Sequence, residues 1–277
     1  MTVLRFLSTI NSENHLNQMN LRAVALATTL STLTMISTAQ ARDICTAVAD
    51  AATGKVLVEQ GDCRRQVTPA STFKIAISLM GYDSGFLKDQ HTPLLPYREG
   101  YVDWRESWRH PTDPAKWMRE SVVWYSQQVT QSLGKERFAA YTRQFKFGNA
   151  DVSGDAEKDG LTLSWINSSL KISPVEQLSF LTRVVNRQLG VSQHAYRMTA
   201  ELTKFPQPPN GWDLHGKTGA AAGWGWYVGW ASKGARTFVF ARLIQKDETQ
   251  PQDIPAGLLA RDAFIAEFET IVAPLTK

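Results

Sequence analysis

The sequence is poor in the groups on which many hydrolases rely. Of 277 residues only two are cysteine and five histidine. They form neither a paired-cysteine spacing nor a His-Glu-x-x-His run, which argues against a zinc hydrolase, and no metal is expected. Gly-x-Ser-x-Gly is missing, and His15, His91, His110, His194 and His215 are scattered, so a Ser-His-Asp hydrolase is disfavoured. His215, close to Lys217, needs to be no more than a turn residue. No dense Lys/Arg block carries interleaved aromatics, so nucleic acid is not an expected partner. Repeats, low-complexity tracts and evident flexible linkers are absent as well.

What is present is an ordinary globular composition, 43% hydrophobic and 20% charged, with enough apolar material for a sizeable core. One apolar run, ending at Ile36, stands behind Arg22 and leads into Ala39-Gln40-Ala41, a small-residue cleavage pattern. Residues 1–41 therefore read as a secretory signal peptide, with Met19 the expected initiator. The run is short and rich in Thr and Ser, where a spanning helix needs roughly 20 predominantly apolar residues. The expectation is export to the periplasm of a Gram-negative-type bacterium, without membrane attachment after cleavage. The formal net charge is +4, and a mildly basic mature chain suits small anionic substrates.

Cys45 and Cys63 bracket TAVADAATGKVLVEQGD, which alternates around Ala52-Thr53-Gly54 and reads as a β-hairpin with facing ends. An oxidising compartment permits a disulfide there. Two small buried hydrophobes are the other reading, and both stay open.

After the hairpin, TPASTFKIAISLMGYDSGFL shows a helical apolar repeat. Residues 111–134, 160–172 and 173–189 carry further helical patterns, the last opened by a Ser173-Pro174-Val175-Glu176 capping box. WGWYVGWAS and RTFVFARLIQ then read as strands around a Lys233-Gly234 turn, and IPAGLLARDAFIAEFETIVAPL as a closing amphipathic helix. Strands at both ends with helices between predict an α+β fold. It comprises an antiparallel sheet built from both chain ends with flanking helices, about residues 42–66 and 208–277, plus an inserted helical lobe, about 67–207. The cleft between the lobes is the expected site.

Four short elements carry the chemistry. Ser71-Thr72-Phe73-Lys74 is a Ser-x-x-Lys element, whose i and i+3 positions share a helix face and bring hydroxyl to amine. Ser132 to Lys135 and Ser168 to Lys171 match the same pattern, so spacing alone proves little. Ser71 differs in following Pro69 at a helix start, where unpaired N–H groups favour a developing oxyanion. The other two read as structural. Lys217-Thr218-Gly219 offers a cation and a hydroxyl for a substrate carboxylate, with a glycine that permits close backbone approach; a solvated loop is its plainer reading. Ser121-Val122-Val123, placed on the helix after Asp113-Pro114, and Phe147-Gly148-Asn149, in a loop, acquire weight only from their order and spacing with the first two.

In that order, PASTFKIAISLM, SVVW, FGN, GLTLSWINSSLKISPVEQ and GKTG resemble the class D, oxacillinase-type serine β-lactamases over nearly all of the mature chain. Ser-x-Val where class A relatives have Ser-Asp-Asn points to class D. The resemblance implies that Lys74, made neutral by burial, takes up carbon dioxide as a carbamate; carbon dioxide or bicarbonate is needed and no other cofactor. Lys74 then serves as general base toward Ser71 and later toward water. The resemblance further implies an oxyanion hole from the backbone N–H groups of Ser71 and Ala220. Ser121 relays a proton to the leaving nitrogen, supported by Lys217, and Thr218 contacts the substrate carboxylate. Val123 and Trp165 keep the lysine pocket dry, though plain core packing explains them too. Arg261 resembles the arginine that pairs with the substrate carboxylate; a solvated helix-face arginine is the alternative. Phe147 departs from the commoner Tyr-Gly-Asn, which leaves that loop a shaping role without proton transfer.

The expected partner is a small-molecule β-lactam, and the chain is expected as a monomer or homodimer. Two rivals share these motifs: a β-lactam sensor domain that stops at the acyl-enzyme, and a peptidoglycan transpeptidase. Trp104, Trp108 and the segment after Gly219 are expected to shape the substrate range.

Overall fold

A hairpin and a three-stranded meander build the sheet in the computed structural model, which describes residues 41–276. The first joins β1 (Arg42–Asp50) to β2 (Val56–Gly61). Its turn is held by Asp50, whose carboxylate accepts from Thr53 N and Oγ1, both at 2.8 Å. The strands β3 (Asp213–Ala221), β4 (Trp224–Lys233) and β5 (Arg236–Gln245) follow late in the chain. β1 pairs with β5, giving an antiparallel sheet in the order β2-β1-β5-β4-β3. The N-terminal hairpin and the late strands thus share one sheet, and β3 is left as an edge. Cys45 and Cys63 are joined by a disulfide across the first hairpin.

The helices are α1 (Lys74–Asp83), α2 (Pro114–Glu120), α3 (Val123–Gln144), α4 (Gly160–Leu163), α5 (Pro174–Val185), α6 (Gln193–Thr203) and α7 (Ala256–Val272). One sheet face packs against the central helices around Phe73, Trp117, Trp124, Trp165 and Trp226. The other packs against α7 around Trp212, Tyr227, Phe240, Phe264 and Phe268. Burying a side chain such as Phe264 stabilises by roughly 1.5–3 kcal/mol.

Several expectations need correction. The helical pattern of 111–134 is two helices with Ser121 between them, so Ser121 is not on a helix. The pattern of 160–172 yields only the four-residue α4. Its apolar residues Trp165, Leu170 and Ile172 are buried, but Asn167 turns the chain at φ 52° and Ile172 pairs with Val67 as an isolated bridge. Burial of an irregular segment mimicked a helix period. α5 keeps its capping box, Ser173 with Glu176, but ends at Val185, before Arg187 at φ 56°. His215 lies inside β3, not in a turn; its ring stacks on Trp230 and Nδ1 donates to the Ala200 carbonyl at 2.9 Å.

The expected leader, with Met19, lies outside the described residues except for Ala41. Among the described residues no helix is long and apolar enough to cross a membrane.

Candidate active site

The chain enters the site through a strained turn. Ala70 is held at φ 50°, a left-handed conformation uncommon outside glycine. A 3-10 turn over Ala70–Phe73 then runs directly into α1. This continuity keeps Ser71 and Lys74 on one face, and Lys74 Nζ donates to Ser71 Oγ at 3.2 Å. Lys74 is 0% exposed. Desolvation first, and the neighbouring charge of Lys217 second, push its amine well below the usual lysine range. Among the described residues no acidic group offsets that push.

Ser121 closes the site from the helical side. It caps α2 in the left-handed region, φ 63° and ψ 33°, and separates α2 from α3. There it meets Lys217, whose Nζ donates to Ser121 Oγ at 3.1 Å and to the Thr218 carbonyl at 3.0 Å. Lys217 is 5% exposed. Burial, then the charges of Arg105 and Arg261, lower it to about 7.

The edge strand β3 supplies the third wall. A Cβ on Gly219 would meet the Pro69 carbonyl oxygen at 2.8 Å, and one on Gly257 would meet the Gly219 oxygen at 2.5 Å. The Ser71 turn, β3 and the start of α7 therefore approach backbone to backbone, which only glycine permits at these two points. Ser71, Ser121, Val123, Thr218, Gly219 and Ala220 line one cleft of about 150 Å³, together with Trp104 and Trp108.

Beneath the cleft, Trp165 is 0% exposed and packs against Phe73, ring centres 5.9 Å apart. Its backbone carbonyl accepts from Ala70 N at 3.0 Å and Thr68 Oγ1 at 2.8 Å. Its Nε1 is buried without a hydrogen-bond partner among the described residues, an arrangement that typically costs about 1–3 kcal/mol. Phe147 does not line the cleft; it packs on Phe73 and Phe180, ring centres 4.7 and 5.0 Å away. Asn149 braces a loop: its N donates to the Lys171 carbonyl, its Oδ1 accepts from Lys171 N and its Nδ2 donates to the Ser169 carbonyl, all within 3.0 Å. At Gly148 a Cβ would sit 1.9 Å from the Lys171 oxygen. The three residues fix the segment carrying Trp165.

The penicillin-binding protein transpeptidase domain family matches the chain over residues 44–264. Beta-lactamase OXA-9 of Klebsiella pneumoniae is 43% identical over 245 residues, 82% of this chain and 88% of that protein. Beta-lactamase OXA-1 of Escherichia coli is 37% identical over 210 residues, 72% of this chain and 75% of that one. The solved structure of the class D β-lactamase OXA-427 superposes with a TM-score of 0.78 at 42% identity, covering 83% of this chain and 99% of that one. The chain belongs to the class D serine β-lactamases.

Within a class D β-lactamase site, three charged residues here escaped the sequence reading: Arg105, Arg119 and Glu120 also line the cleft. Glu120 immediately precedes Ser121, and its Oε2 is buried without a partner among the described residues. Only adjacency to Ser121 could have flagged the pair Arg119 and Glu120. Arg261 is not a fully solvated helix-face residue. Its side chain is 32% exposed, pairs with Asp262 at 2.7 Å, and lines the groove that also contains Lys217 and Thr218.

Proposed function

We propose that this class D enzyme hydrolyses β-lactams through an ester on Ser71, with Lys74, carboxylated on Nζ, as the base in both half-reactions. The observation that carries the proposal is an amine 0% exposed and 3.2 Å from the Ser71 oxygen, with no acid to keep it charged. A neutral amine is the form that adds carbon dioxide. The fit is supported by Trp165 Nε1, a buried donor still without an acceptor among the described residues.

In the first half-reaction the Ser71 proton passes to carboxylated Lys74 as Oγ bonds to the lactam carbonyl carbon. The backbone N–H groups of Ser71 and Ala220 stabilise the oxyanion; one such donor typically contributes about 10²–10³ in rate. When the ring C–N bond breaks, the nitrogen takes up the proton held on carboxylated Lys74, relayed through Ser121, whose hydroxyl is 3.1 Å from Lys217 Nζ, and Lys74 is left a base again. With a pKa of about 7, Lys217 exchanges protons readily near neutrality. Thr218 and Arg261 hold the substrate carboxylate. In the second half-reaction water gives its proton to Lys74, its oxygen attacks the ester carbon, and Ser71 recovers its hydrogen as the C–O bond breaks.

Export to the periplasm is part of the same proposal, supported by the leader pattern and by the Cys45–Cys63 disulfide.

A chromogenic cephalosporin tests the hydrolysis. Many turnovers per enzyme are expected; one equivalent of colour followed by a stall would instead mark a sensor or transpeptidase. The carboxylation is tested separately by stripping bicarbonate at mildly acid pH. Activity is expected to fall and to return when bicarbonate is added, and indifference to bicarbonate would remove Lys74 carboxylation from the mechanism.

A further inference from the structure

The cleft at Ser71 is small. At about 150 Å³ it falls below the roughly 300–1,000 Å³ usual for drug-sized ligands, so part of a β-lactam extends beyond it. A larger groove of about 400 Å³ adjoins it, bounded by α2, the end of α6 and the middle of β3. Arg119 and Thr218 line both spaces, so the two adjoin at the point assigned to the substrate carboxylate.

The groove is cationic. Arg119, Lys204 and Arg261 line it against the single carboxylate of Glu201, beside Lys217, whose amine is partly neutral near pH 7. Arg261 is engaged by Asp262 at 2.7 Å, but the other two cations are held only weakly. Arg119 is 67% exposed and pairs only with its neighbour Glu120, and Lys204 stands 3.6 Å from Asp213 with both side chains more than half exposed; such surface pairs are weak. Met118 and Phe205 give the groove apolar walls. Tyr227 also borders it, 1% exposed, with its hydroxyl end against Gly216 and no hydrogen-bond partner among the described residues. Burial raises its pKa and keeps that hydroxyl protonated, as a donor.

We infer that this groove is a second compartment of the substrate site, built to receive an acidic substituent next to the substrate's own carboxylate. The class of ligand is a cephalosporin whose C3 arm ends in a carboxylate or sulfonate. On a dihydrothiazine ring that arm leaves the carbon adjacent to the one bearing the carboxylate. With the carboxylate at Thr218 and Arg261, the arm has the groove directly before it, and Lys204 lies along its wall. The inference rests on the β-lactam reading of the Ser71 site.

The test compares two cephalosporins with the same acylamino side chain, one with a C3 methyl group and one with a C3 arm ending in a sulfonate. The wild type is expected to favour the sulfonate in kcat/KM, mainly through KM, and added salt should erode the preference. Lys204→Gln should lower kcat/KM for the sulfonate about fivefold, the scale of one surface ion pair, and Lys204→Glu should lower it further. The methyl compound should be turned over unchanged by both variants, which also shows that they are folded. Equal changes for both substrates, or none for either, would overturn the inference while leaving the hydrolase intact. If the wild type turned over neither compound, the hydrolase reading itself would fall, and the inference with it.

Discussion

Buried cations are treated in opposite ways at the two sides of the sheet. Arg242 on β5 is 1% exposed, yet it donates to Asp43 at 2.6 Å and also to Glu267 on α7. Its positive charge is matched by two carboxylates. Lys74 and Lys217 are buried to a similar degree but among the described residues find only hydroxyls and a backbone carbonyl. The first arrangement keeps an ion and ties β1, β5 and α7 together. The second makes the charged form costly and yields amines ready to exchange protons or react. Surroundings, and not depth of burial, decide whether a cation serves stability or chemistry.

The contrast can be broken most forcefully at Lys74. Lys74→Met should cut turnover of a chromogenic cephalosporin by about 10³-fold or more, the scale of a general base, while leaving the urea midpoint unchanged or higher, because no paired charge is lost. A variant that unfolds earlier than wild type would contradict it. Glu267→Gln should do the reverse. Stability should fall by about 1–2 kcal/mol, less than the 3–5 kcal/mol of a fully buried pair because Glu267 is 43% exposed. Turnover per folded molecule should hold, as read by titrating active enzyme.

Trp165→Phe sharpens the comparison from the donor side. Without bicarbonate it removes a buried N–H that has no partner among the described residues, so stability should not suffer in that buffer, but half-maximal activity should require about tenfold more bicarbonate, one lost hydrogen bond to the charged carbamate. Lys217 sharpens the comparison through pH. Its pKa falls on folding from 10.5 to about 7, so the folded state binds fewer protons between those values, and its share of stability rises with pH across that window. Lys217→Met should therefore exceed wild type in stability most below about pH 7, with the gap closing toward pH 10.5 in denaturation curves.

The fold was legible where period and turn chemistry agreed. The Asp50–Gly54 and Gly234 turns, the Ser173 capping box and the long amphipathic α7 all announced themselves in residue order. α6 did not, because only Ala195, Tyr196, Thr199 and Thr203 are buried and two of these are polar. The break at Ser121 was hidden too, since no glycine or proline marks it. Tertiary contacts hold it: Val122 N donates to the Trp117 carbonyl at 3.1 Å and Trp108 Nε1 to the Glu120 carbonyl at 3.2 Å. The motif residues of the site could be picked out by spacing, but Arg119 and Lys204 come together only in three dimensions.

The glycine contacts at Gly219 and Gly257 carry an evolutionary corollary. Because three chain segments meet there main chain to main chain, the spacing between nucleophile, edge strand and final helix is indifferent to most side-chain drift nearby. Diversification of the drugs accepted then has to proceed at the rim, through Trp104, Arg105 and the residues after Ala220, where replacements reshape the entrance without moving the reacting atoms.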